Sequence, residues 1–333
     1  MLSPAHSVSI VVPVYQGAST LEGLLAELEQ YFVETVSPDG HTYFVDEVLL
    51  VFDNGPDGSD ATIRRLAERY DRVRGVWLSR NFGQHAATLA GMASSGGDWV
   101  VTMDEDGQHD PRYLGDMLDV AMAKAAALVY SRSTNEAPHG FARNLASRWS
   151  KRVISSVSSD PNVTVYQSYR FILGEVARTV SAYAGANVYL DVALGWITSR
   201  VAQCDVVLRE EGGRASGYSP RKLLSHFWKM FVTSGTRGLR LVSIIGALLA
   251  TIGVVFAIVV LVGRLFNFIV EPGWASLMIV IIFASGAILF SMGVIAEYIG
   301  VSVNLAMGRP AYVILSDTAT GPLARPRRTD SAR

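Results

Sequence analysis

Short runs of β-branched and other apolar residues alternate with segments of helical pattern in the first hundred residues of the chain. In chain order these are 7–15 (strand), 19–34 (helix), 46–52 (strand), 60–70 (helix), 73–78 (strand), 83–95 (helix) and 99–104 (strand). The alternation predicts an α/β fold with a mostly parallel sheet and helices on both of its faces. Because ligands bind beyond the carboxyl ends of the strands in such sheets, we expect the functional site there.

Two long apolar stretches follow in the last third of the chain. Between Arg240 and Arg264 lie 23 uncharged, mostly apolar positions, and between Glu271 and Glu297 lie 25 more. At a rise of about 1.5 Å per residue, each stretch is long enough as a helix to cross the hydrocarbon core of a bilayer. The alternative is a pair of buried core helices, although soluble helices rarely run this long without a polar face.

Basic residues flank this apolar region on both sides. They are Arg221, Lys222, Lys229, Arg237 and Arg240 before it, and Arg309, Arg325, Arg327 and Arg328 after it. By the positive-inside rule, both termini lie in the cytoplasm and the tip of the helical hairpin faces outward. We therefore expect an integral protein of the cell (inner) membrane with a large cytoplasmic domain.

The segment 219–237 carries apolar side chains at helical spacing, interrupted by charges. The apolar residues are Leu223, Leu224, Phe227, Trp228 and Phe231, and the interrupting residues are Lys222, His226 and Lys229. This pattern predicts either an amphipathic helix in the membrane interface or a helix that packs on the domain. The chain then divides into an α/β domain (1–218), an interfacial helix (219–237), two transmembrane helices (238–300) and a cytoplasmic tail (301–333).

Composition excludes some classes of partner. The formal net charge is −1 and the pI is about 6.6, so the basic field typical of nucleic-acid binders is absent. The single cysteine, Cys204, cannot form an internal disulfide, which fits a reducing compartment. The N-terminal residues show neither a basic segment nor a cleavable apolar segment, so we expect no secretory signal.

The strand at 99–104 ends in three adjacent acids, Asp104, Glu105 and Asp106. In an extended or tightly turning segment, the side chains of Asp104 and Asp106 can point to the same side while Glu105 points away. Two carboxylates held together repel each other unless a cation joins them. Mg²⁺ is typically bound by one or two carboxylates together with substrate phosphates. The pattern therefore favours a metal site over a solvated acidic turn, and His109 is either a further ligand or a neighbouring histidine.

Three longer segments resemble one known family. They are "VVPVY" at 11–15, "LSRNFGQHAATLAGMASSGGDWVVTMDEDGQHDP" at 78–111 and "GYSPRKLL" at 217–224. They look like the polyprenyl-phosphate glycosyltransferases of the family 2 class, which include dolichol-phosphate mannose synthases. The resemblance implies a GT-A fold, a UDP- or GDP-linked sugar donor, and Mg²⁺ or Mn²⁺ as cofactor. It also implies transfer with inversion to a membrane polyprenyl phosphate, for cell-envelope or protein glycosylation, and relatives also form homo-oligomers.

The resemblance also assigns residues. Pro13 and Tyr15 would line the nucleotide site, Asp53 would contact the base, and Asp104 and Asp106 would hold the metal and the diphosphate. The chain departs from the family pattern after Tyr15, where Gln16 and Gly17 replace the usual acidic or polar residue. In the loop "FDNGPDGSD" at 52–60, Phe52 replaces the first aspartate of the usual "DDGS", so the nucleotide is less well defined than the fold.

The identity of a general base is open. Some relatives carry an aspartate five residues before the arginine of an "FRL" segment, and that place here holds Val165. Gln167 and Asp191 are the replacements that we consider, although Asp191 is equally explained by the start of a helix. A phosphate monoester is already largely anionic at neutral pH, since its second pKa is near 6. A strong base is therefore less necessary than for a hydroxyl acceptor.

The acceptor phosphate needs cations of its own. The candidates late in the domain are Arg170, Arg209, Arg214, Arg221 and Lys222. Arginine suits bidentate phosphate binding and lysine supplies a point charge, whereas attraction to anionic lipid explains the same residues without a site. Two other functions remain: a catalytically silent membrane scaffold with this fold, and a processive polysaccharide synthase. The processive synthases carry a Gln-x-x-Arg-Trp motif, and the nearest segment here, "LASRW" at 145–149, has Leu145 in place of the glutamine.

Overall fold

The computed structural model describes residues 4–135, 165–186, 188–209, 237–265 and 273–324. Its strands are β1 (His6–Val14), β2 (Thr35–Val36), β3 (Thr42–Phe52), β4 (Val73–Leu78), β5 (Trp99–Thr102), β6 (Leu128–Ser133), β7 (Arg170–Leu173), β8 (Val201–Val206) and β9 (Ile314–Leu315). Its helices are α1 (Leu21–Leu28), α2 (Ser59–Arg69), α3 (Gln84–Ala93), α4 (Leu114–Ala123), α5 (Gly174–Tyr183), α6 (Leu190–Ile197), α7 (Arg237–Leu265) and α8 (Trp274–Ala306).

The strands of the described chain form one sheet in the order β8-β6-β7-β5-β1-β3-β4-β9, and β2 pairs with β3 at its start. Neighbouring pairs in the central run β5-β1-β3-β4 are parallel. Strand β7 runs antiparallel between β5 and β6, and β8 is parallel to β6, so six strands share one direction. The prediction of an α/β fold with a mostly parallel sheet is therefore confirmed.

The core explains why the central strands read as continuous apolar runs. Residues 8–14 of β1 are all buried, because helices cover both faces of the sheet. Val12 packs in the cluster on one face and Val11 in the cluster on the other. Pro13 fits this interior strand because β5 pairs with β1 only as far as Val11, so its missing N–H breaks no ladder bond to β5.

One predicted helix and one predicted strand differ from the structure at their ends. The helix expected over 19–34 is α1, which ends at Leu28 and continues as one turn of 3₁₀ helix over Glu29–Tyr31. The last strand of the alternating series ends at Thr102 rather than 104, which leaves Asp104 outside the ladder. The acidic triplet therefore lies in a turn at the carboxyl edge of the sheet.

The two apolar stretches are the long helices α7 and α8, which contact each other and expose many large apolar side chains. Within the described residues, one segment is long and apolar enough to cross a membrane, Phe283–Gly300 in α8. The apolar part of α7 at Val242–Phe256 is shorter. A crossing by two helices is therefore not established by length and composition alone.

The chain returns to the sheet after α8. Strand β9 pairs antiparallel with the outer strand β4, and the N–H of Ser79 donates to the carbonyl of Val313 at 2.9 Å. The guanidinium of Arg64 in α2 donates two hydrogen bonds of 2.8 Å to the carboxylate of Asp317. Residues 313–317 are thus attached to the α/β domain, which the sequence pattern does not predict.

Candidate active site

Three loops meet at the carboxyl edge of the sheet, and Glu105 joins two of them. Its carboxylate accepts hydrogen bonds of 2.9 Å from the backbone N–H groups of Tyr15 and Gln16. A Cβ atom at Gly17 would lie 2.7 Å from Oε2 of Glu105, so a larger residue would displace that carboxylate. The change from the family pattern to Gln16-Gly17 thus leaves room for a carboxylate supplied by the third loop.

The altered loop at 52–60 is fastened to the first loop in the same way. The carboxylate of Asp57 accepts from the N–H of Ala18 at 3.0 Å, and the hydroxyl of Ser59 accepts from the N–H of Gly17 at 3.0 Å. Gly55 passes so close to Tyr15 that a Cβ atom would lie 1.5 Å from the Tyr15 carbonyl oxygen. Loop 52–60 therefore supports the Tyr15 segment, and only a glycine fits at their closest approach.

Asp104 lies in the turn after β5 and is held by neutral groups. Its Oδ1 accepts from the side-chain amide of Gln84 at 2.6 Å, and its Oδ2 accepts from the hydroxyl of Ser168 at 2.7 Å. The side chain is 25 % exposed. Among the described residues, no Lys or Arg forms an ion pair with Asp104, so its negative charge is oriented but not neutralised by the protein.

His109 is a neighbour of Asp104 rather than its counter-ion. The N–H of Asp104 donates to Nδ1 of His109 at 2.9 Å, which leaves the ring proton on Nε2, and that nitrogen is 3.8 Å from Oδ2 of Asp104. Burial lowers the pKa of His109, and its ring stacks on Tyr169 with centroids 4.8 Å apart. With Nδ1 used by the backbone, the histidine serves to fix the turn.

Asp106 is half-buried on the same turn, and its Oδ1 accepts from the N–H of Gln108 at 3.0 Å. Gly107 between them has a φ of +76°, which favours glycine. The residues that the structure describes contain no group of three or more His, Cys, Asp or Glu able to enclose a metal ion. Two carboxylates on an open turn instead fit a hard divalent cation whose remaining ligands come from a substrate diphosphate.

The other residues expected at the nucleotide site differ in exposure. Tyr15 is 43 % exposed beside the acidic turn, whereas Pro13 is buried within β1. Asp53 is 3 % exposed, and its two oxygens accept from the N–H groups of Phe82 and Gly83 at 2.7 and 2.8 Å. Burial raises the pKa of Asp53, and these hydrogen bonds oppose that rise. In this structure Asp53 positions the start of α3, and its contact with a base stays a prediction.

Two residues that the sequence assigns to the site, Arg170 as a phosphate ligand or catalytic group and Asp191 as a possible base, bind each other in the interior next to the acidic turn. The distances are 2.6 Å from Nε to Oδ1 and 2.8 Å from Nη2 to Oδ2, and the residues are 4 % and 1 % exposed. The hydroxyl of Tyr130 also donates to Asp191, at 2.8 Å. Burial and the carboxylate raise the pKa of Tyr130 well above its ordinary value, so this tyrosine remains a donor.

The buried pair reaches Asp104 through Ser168. Nη1 of Arg170 donates to the carbonyl oxygen of Ser168 at 3.0 Å, and the Ser168 hydroxyl donates to Asp104. Gln167 is half-buried next to Ser168 in the same segment. This arrangement suits positioning, because the carboxylate of Asp191 is enclosed by protein donors and faces no solvent.

Besides Arg170, the structure describes one further residue expected at the acceptor phosphate, Arg209. It donates to Glu27 at 2.7 and 2.8 Å and lies 3.0 Å from Asp110, so its charge is matched by two carboxylates. Asp110 also accepts from the N–H of Arg112, as the predicted helix cap does. The remaining candidates and segments that lie outside the described residues are Arg214, Arg221, Lys222, Leu145 and the proposed interfacial helix up to residue 236.

Sequence reasoning missed Gln84, Glu105 and Ser168 as parts of the site. Glu105 had a local signal, since a side chain that alternates away from Asp104 and Asp106 must point into a neighbouring loop. Ser168 carried none, because it meets Asp104 across 64 residues of chain. Gln84 had a weak signal as the first residue of a helix that follows a strand end.

Comparison with known proteins places this site in a family. The model of glycosyl transferase family 2 matches residues 9–178, which include most of β1, the acidic turn and Arg170. The chain belongs to glycosyl transferase family 2, and the predicted membership and GT-A type of fold are confirmed. It is a glycosyltransferase.

Relatives similar to nearly the whole chain carry a common name. An undecaprenyl-phosphate 4-deoxy-4-formamido-L-arabinose transferase of Pseudomonas aeruginosa (strain LESB58) is 28 % identical, and the match covers 97 % of this chain and 94 % of the relative. A protein of the same name from Aeromonas hydrophila is 28 % identical, with 92 % of each chain covered. Among solved structures, glucosyl-3-phosphoglycerate synthase from Mycobacterium tuberculosis has a TM-score of 0.48 and 18 % identity, with 70 % of this chain and 80 % of that chain covered.

Proposed function

We propose that this glycosyltransferase moves a sugar, with inversion, from a nucleotide sugar to the phosphate of a membrane polyprenyl phosphate. The observation that carries the proposal is the carboxylate of Asp104, which Gln84 and Ser168 hold at the carboxyl edge of the sheet and which pairs with no Lys or Arg among the described residues. Similarity over nearly the full length to transferases that are named for undecaprenyl phosphate supports the choice of acceptor.

Asp104 and Asp106 are the residues that would hold Mg²⁺ or Mn²⁺. A divalent cation there supplies Lewis-acid stabilisation of the diphosphate leaving group. The protein contributes the orientation: Ser168 and Gln84 fix the oxygens of Asp104, and His109 fixes its backbone. Tyr15, exposed on the adjoining loop, would contact the nucleotide.

The chemistry of the acceptor makes a buried base unnecessary. A phosphate monoester with a second pKa near 6 is mostly a dianion at neutral pH and needs no deprotonation to attack. Asp191 is already hydrogen-bonded to Arg170 and Tyr130 in the interior. We therefore assign Arg170 and Asp191 to positioning the segment of Ser168. No protein base is needed, because the acceptor phosphate has already lost its proton before it attacks.

The membrane arrangement belongs to the same proposal. Helix α7 contains the 23 uncharged positions between Arg240 and Arg264, and α8 contains the segment Phe283–Gly300, so we count both helices as crossings, since a bilayer requires roughly 20 apolar residues. Since the segment after α8 pairs with β4, the domain and the tail lie on one side, as an even number of crossings requires. We infer a two-helix hairpin in the inner membrane, with the domain and both termini in the cytoplasm.

The test measures nucleoside diphosphate released by the purified full-length protein in detergent. UDP- and GDP-linked sugars are each supplied with and without Mn²⁺, and with and without a polyprenyl phosphate. Release that requires donor, Mn²⁺ and polyprenyl phosphate together, with a lipid-linked monosaccharide as product, is the expected result. Release in no combination would support a silent scaffold, and a polymeric product would support a processive synthase; either contradicts the proposal.

A further inference from the structure

A cavity of about 270 Å³ opens beside the acidic turn. Three parts of the chain that are far apart in sequence line it: residues 80–86 and 89 before and in α3, residues 185, 186, 188 and 189 before α6, and residues 309–311 after α8. It thus lies between the α/β domain and the chain that has just left the second long apolar helix. Of the residues expected at the acceptor phosphate from sequence, the two that the structure describes, Arg170 and Arg209, do not line this cavity.

The cavity is basic. Arg80 and Arg309 line it, together with His85, and both arginines are exposed. The guanidinium of Arg80 lies 4.2 Å above the ring of Phe82, which holds it against the wall. Among the described residues, neither arginine forms an ion pair with a carboxylate, in contrast to Arg209 with its two. The charge of Arg80 also opposes the rise that burial causes in the pKa of Asp53. Both guanidinium groups nevertheless stay exposed at the cavity, where an anion can reach them.

The cavity is also next to the reacting groups. Gln84 both lines it and donates to Oδ1 of Asp104 at 2.6 Å. An anion in the cavity is thus separated from the metal-binding turn by a single side chain. The positive end of the α3 helix, which starts at Gln84, adds a weaker attraction for the same charge.

Arg309 is brought to this place by the returning chain. It follows the end of α8 at Ala306 by three residues, which puts it at the membrane end of the domain in the proposed hairpin. The residues after it are fixed, because Tyr312 packs on the core and Asp317 is bound by Arg64. Attachment of the tail to the domain therefore completes the wall of the cavity.

We propose that this cavity binds the phosphate of the polyprenyl phosphate acceptor, with Arg80 and Arg309 as its two cationic ligands. This inference rests on the proposed function and adds the residues that bind the acceptor phosphate and the path by which it arrives. A phosphate at the lipid surface would reach Arg309 first and the edge of the metal site next. Guanidinium groups suit the task because they bind phosphate oxygens in bidentate fashion. The tail thereby contributes directly to acceptor binding.

The test compares Arg309→Gln, Arg80→Gln and the matched control Arg200→Gln in the full-length protein. Arg200 is exposed and precedes β8 at the opposite edge of the sheet. With farnesyl phosphate as a short acceptor, we expect each cavity variant to raise the acceptor KM at least about tenfold while the donor KM and the melting temperature stay unchanged. Arg309→Lys should recover part of the loss, and the control should match the wild type.

The outcomes separate this inference from the proposed function. Acceptor-dependent turnover by the wild type, with an unchanged acceptor KM in both cavity variants, would overturn this inference but not the proposed function. A raised donor KM with an unchanged acceptor KM would assign the cavity to the donor, which also overturns the inference. If the wild type shows no acceptor-dependent turnover, thermal shift with farnesyl phosphate decides. A shift that Arg309→Gln abolishes supports the cavity, and a shift that persists contradicts it. Inorganic phosphate run in parallel shows whether the lipid is needed for binding.

Discussion

Two pairs of charged side chains lie close together in the protein, connected through Ser168, but they differ in burial and in charge compensation. Asp104 and Asp106 lie on an open turn, and within the part of the chain that the structure describes the side chains that donate to Asp104 are neutral. Arg170 and Asp191 lie in the interior, 4 % and 1 % exposed, with matched charges and a further donor from Tyr130. Ser168 connects them, since its carbonyl accepts from Arg170 and its hydroxyl donates to Asp104.

This difference in burial and pairing distinguishes a carboxylate that stabilises the fold from one that can bind a ligand. A buried carboxylate is tolerated when protein groups satisfy it completely, and removing one member of the pair leaves an uncompensated charge. A carboxylate that is oriented by neutral donors keeps its charge for a partner that arrives from solution. By this reasoning the interior pair governs stability and the acidic turn governs activity, and the following variants test that division from the largest expected effect to the smallest.

Asp191→Ala should lower the free energy of unfolding by about 3–5 kcal/mol, because it leaves Arg170 buried without a counter-charge. Denaturant titration followed by tryptophan fluorescence measures the loss. The double variant Arg170→Met, Asp191→Leu removes both charges and should be clearly more stable than Asp191→Ala. If the double variant is equally unstable, hydrogen bonding rather than unpaired charge explains the effect.

Asp106→Asn should reduce turnover at least about 100-fold and leave the melting temperature within a few degrees of the wild type. The amide keeps the hydrogen bond from Gln108 but gives up the negative charge that a metal requires. Asp71→Asn, at the exposed turn before β4, is the matched control and should retain full activity. If Asp106→Asn turns over at the wild-type rate, the assignment of Asp106 to the metal site is wrong.

Ser168→Ala tests the connection between the two pairs. Loss of its hydrogen bond leaves Asp104 less firmly oriented, so we expect an apparent Mn²⁺ affinity about 10–100-fold weaker, as is typical when a residue that orients a metal ligand is removed. The dependence of rate on Mn²⁺ concentration measures this. An unchanged Mn²⁺ requirement combined with a lower stability would make Ser168 a purely structural residue.

The smallest effect is expected at the tail. The hydrogen bonds from Arg64 lower the pKa of Asp317 below its ordinary value. For a carboxyl group with a depressed folded-state pKa, the stabilisation is present above the unfolded value of about 4 and is lost as the pH falls through the folded value. Protection of the amides at 314–317 against hydrogen exchange should therefore decline below about pH 4. Arg64→Ala should remove this pH dependence and should lower the free energy of unfolding by about 1 kcal/mol or less.

The sequence predicts well those parts of the molecule whose signal is local. Strands β1, β3, β4 and β5 appear as apolar runs because both faces of the sheet are covered, and the acidic turn appears because it interrupts such a run. The return of the tail to β4 and the antiparallel β7 carry no such signal, because their pairing partners lie about 237 and 71 residues away in the chain. A two-residue strand such as β9 has no periodicity to detect.

The candidate site divides along the same line. The positions of Asp104, Asp106 and Tyr15 follow from their place at strand ends. The neutralisation of Asp191 by Arg170 and of Arg209 by Glu27 and Asp110 does not, since it depends on side chains that meet only in the folded protein. Sequence motifs thus identify which residues are charged, and the structure determines which of those charges remain available to a substrate.

The most direct test of this account is calorimetric titration of Mn²⁺ into the wild type and into the double variant Asp104→Asn, Asp106→Asn, each with and without UDP or GDP. The account predicts one Mn²⁺ bound by the wild type, more tightly when one of these nucleotides supplies its diphosphate, and loss of both the binding and its dependence on nucleotide in the double variant. Equal Mn²⁺ affinity in the two proteins, with the same gain from the nucleotide, would contradict it.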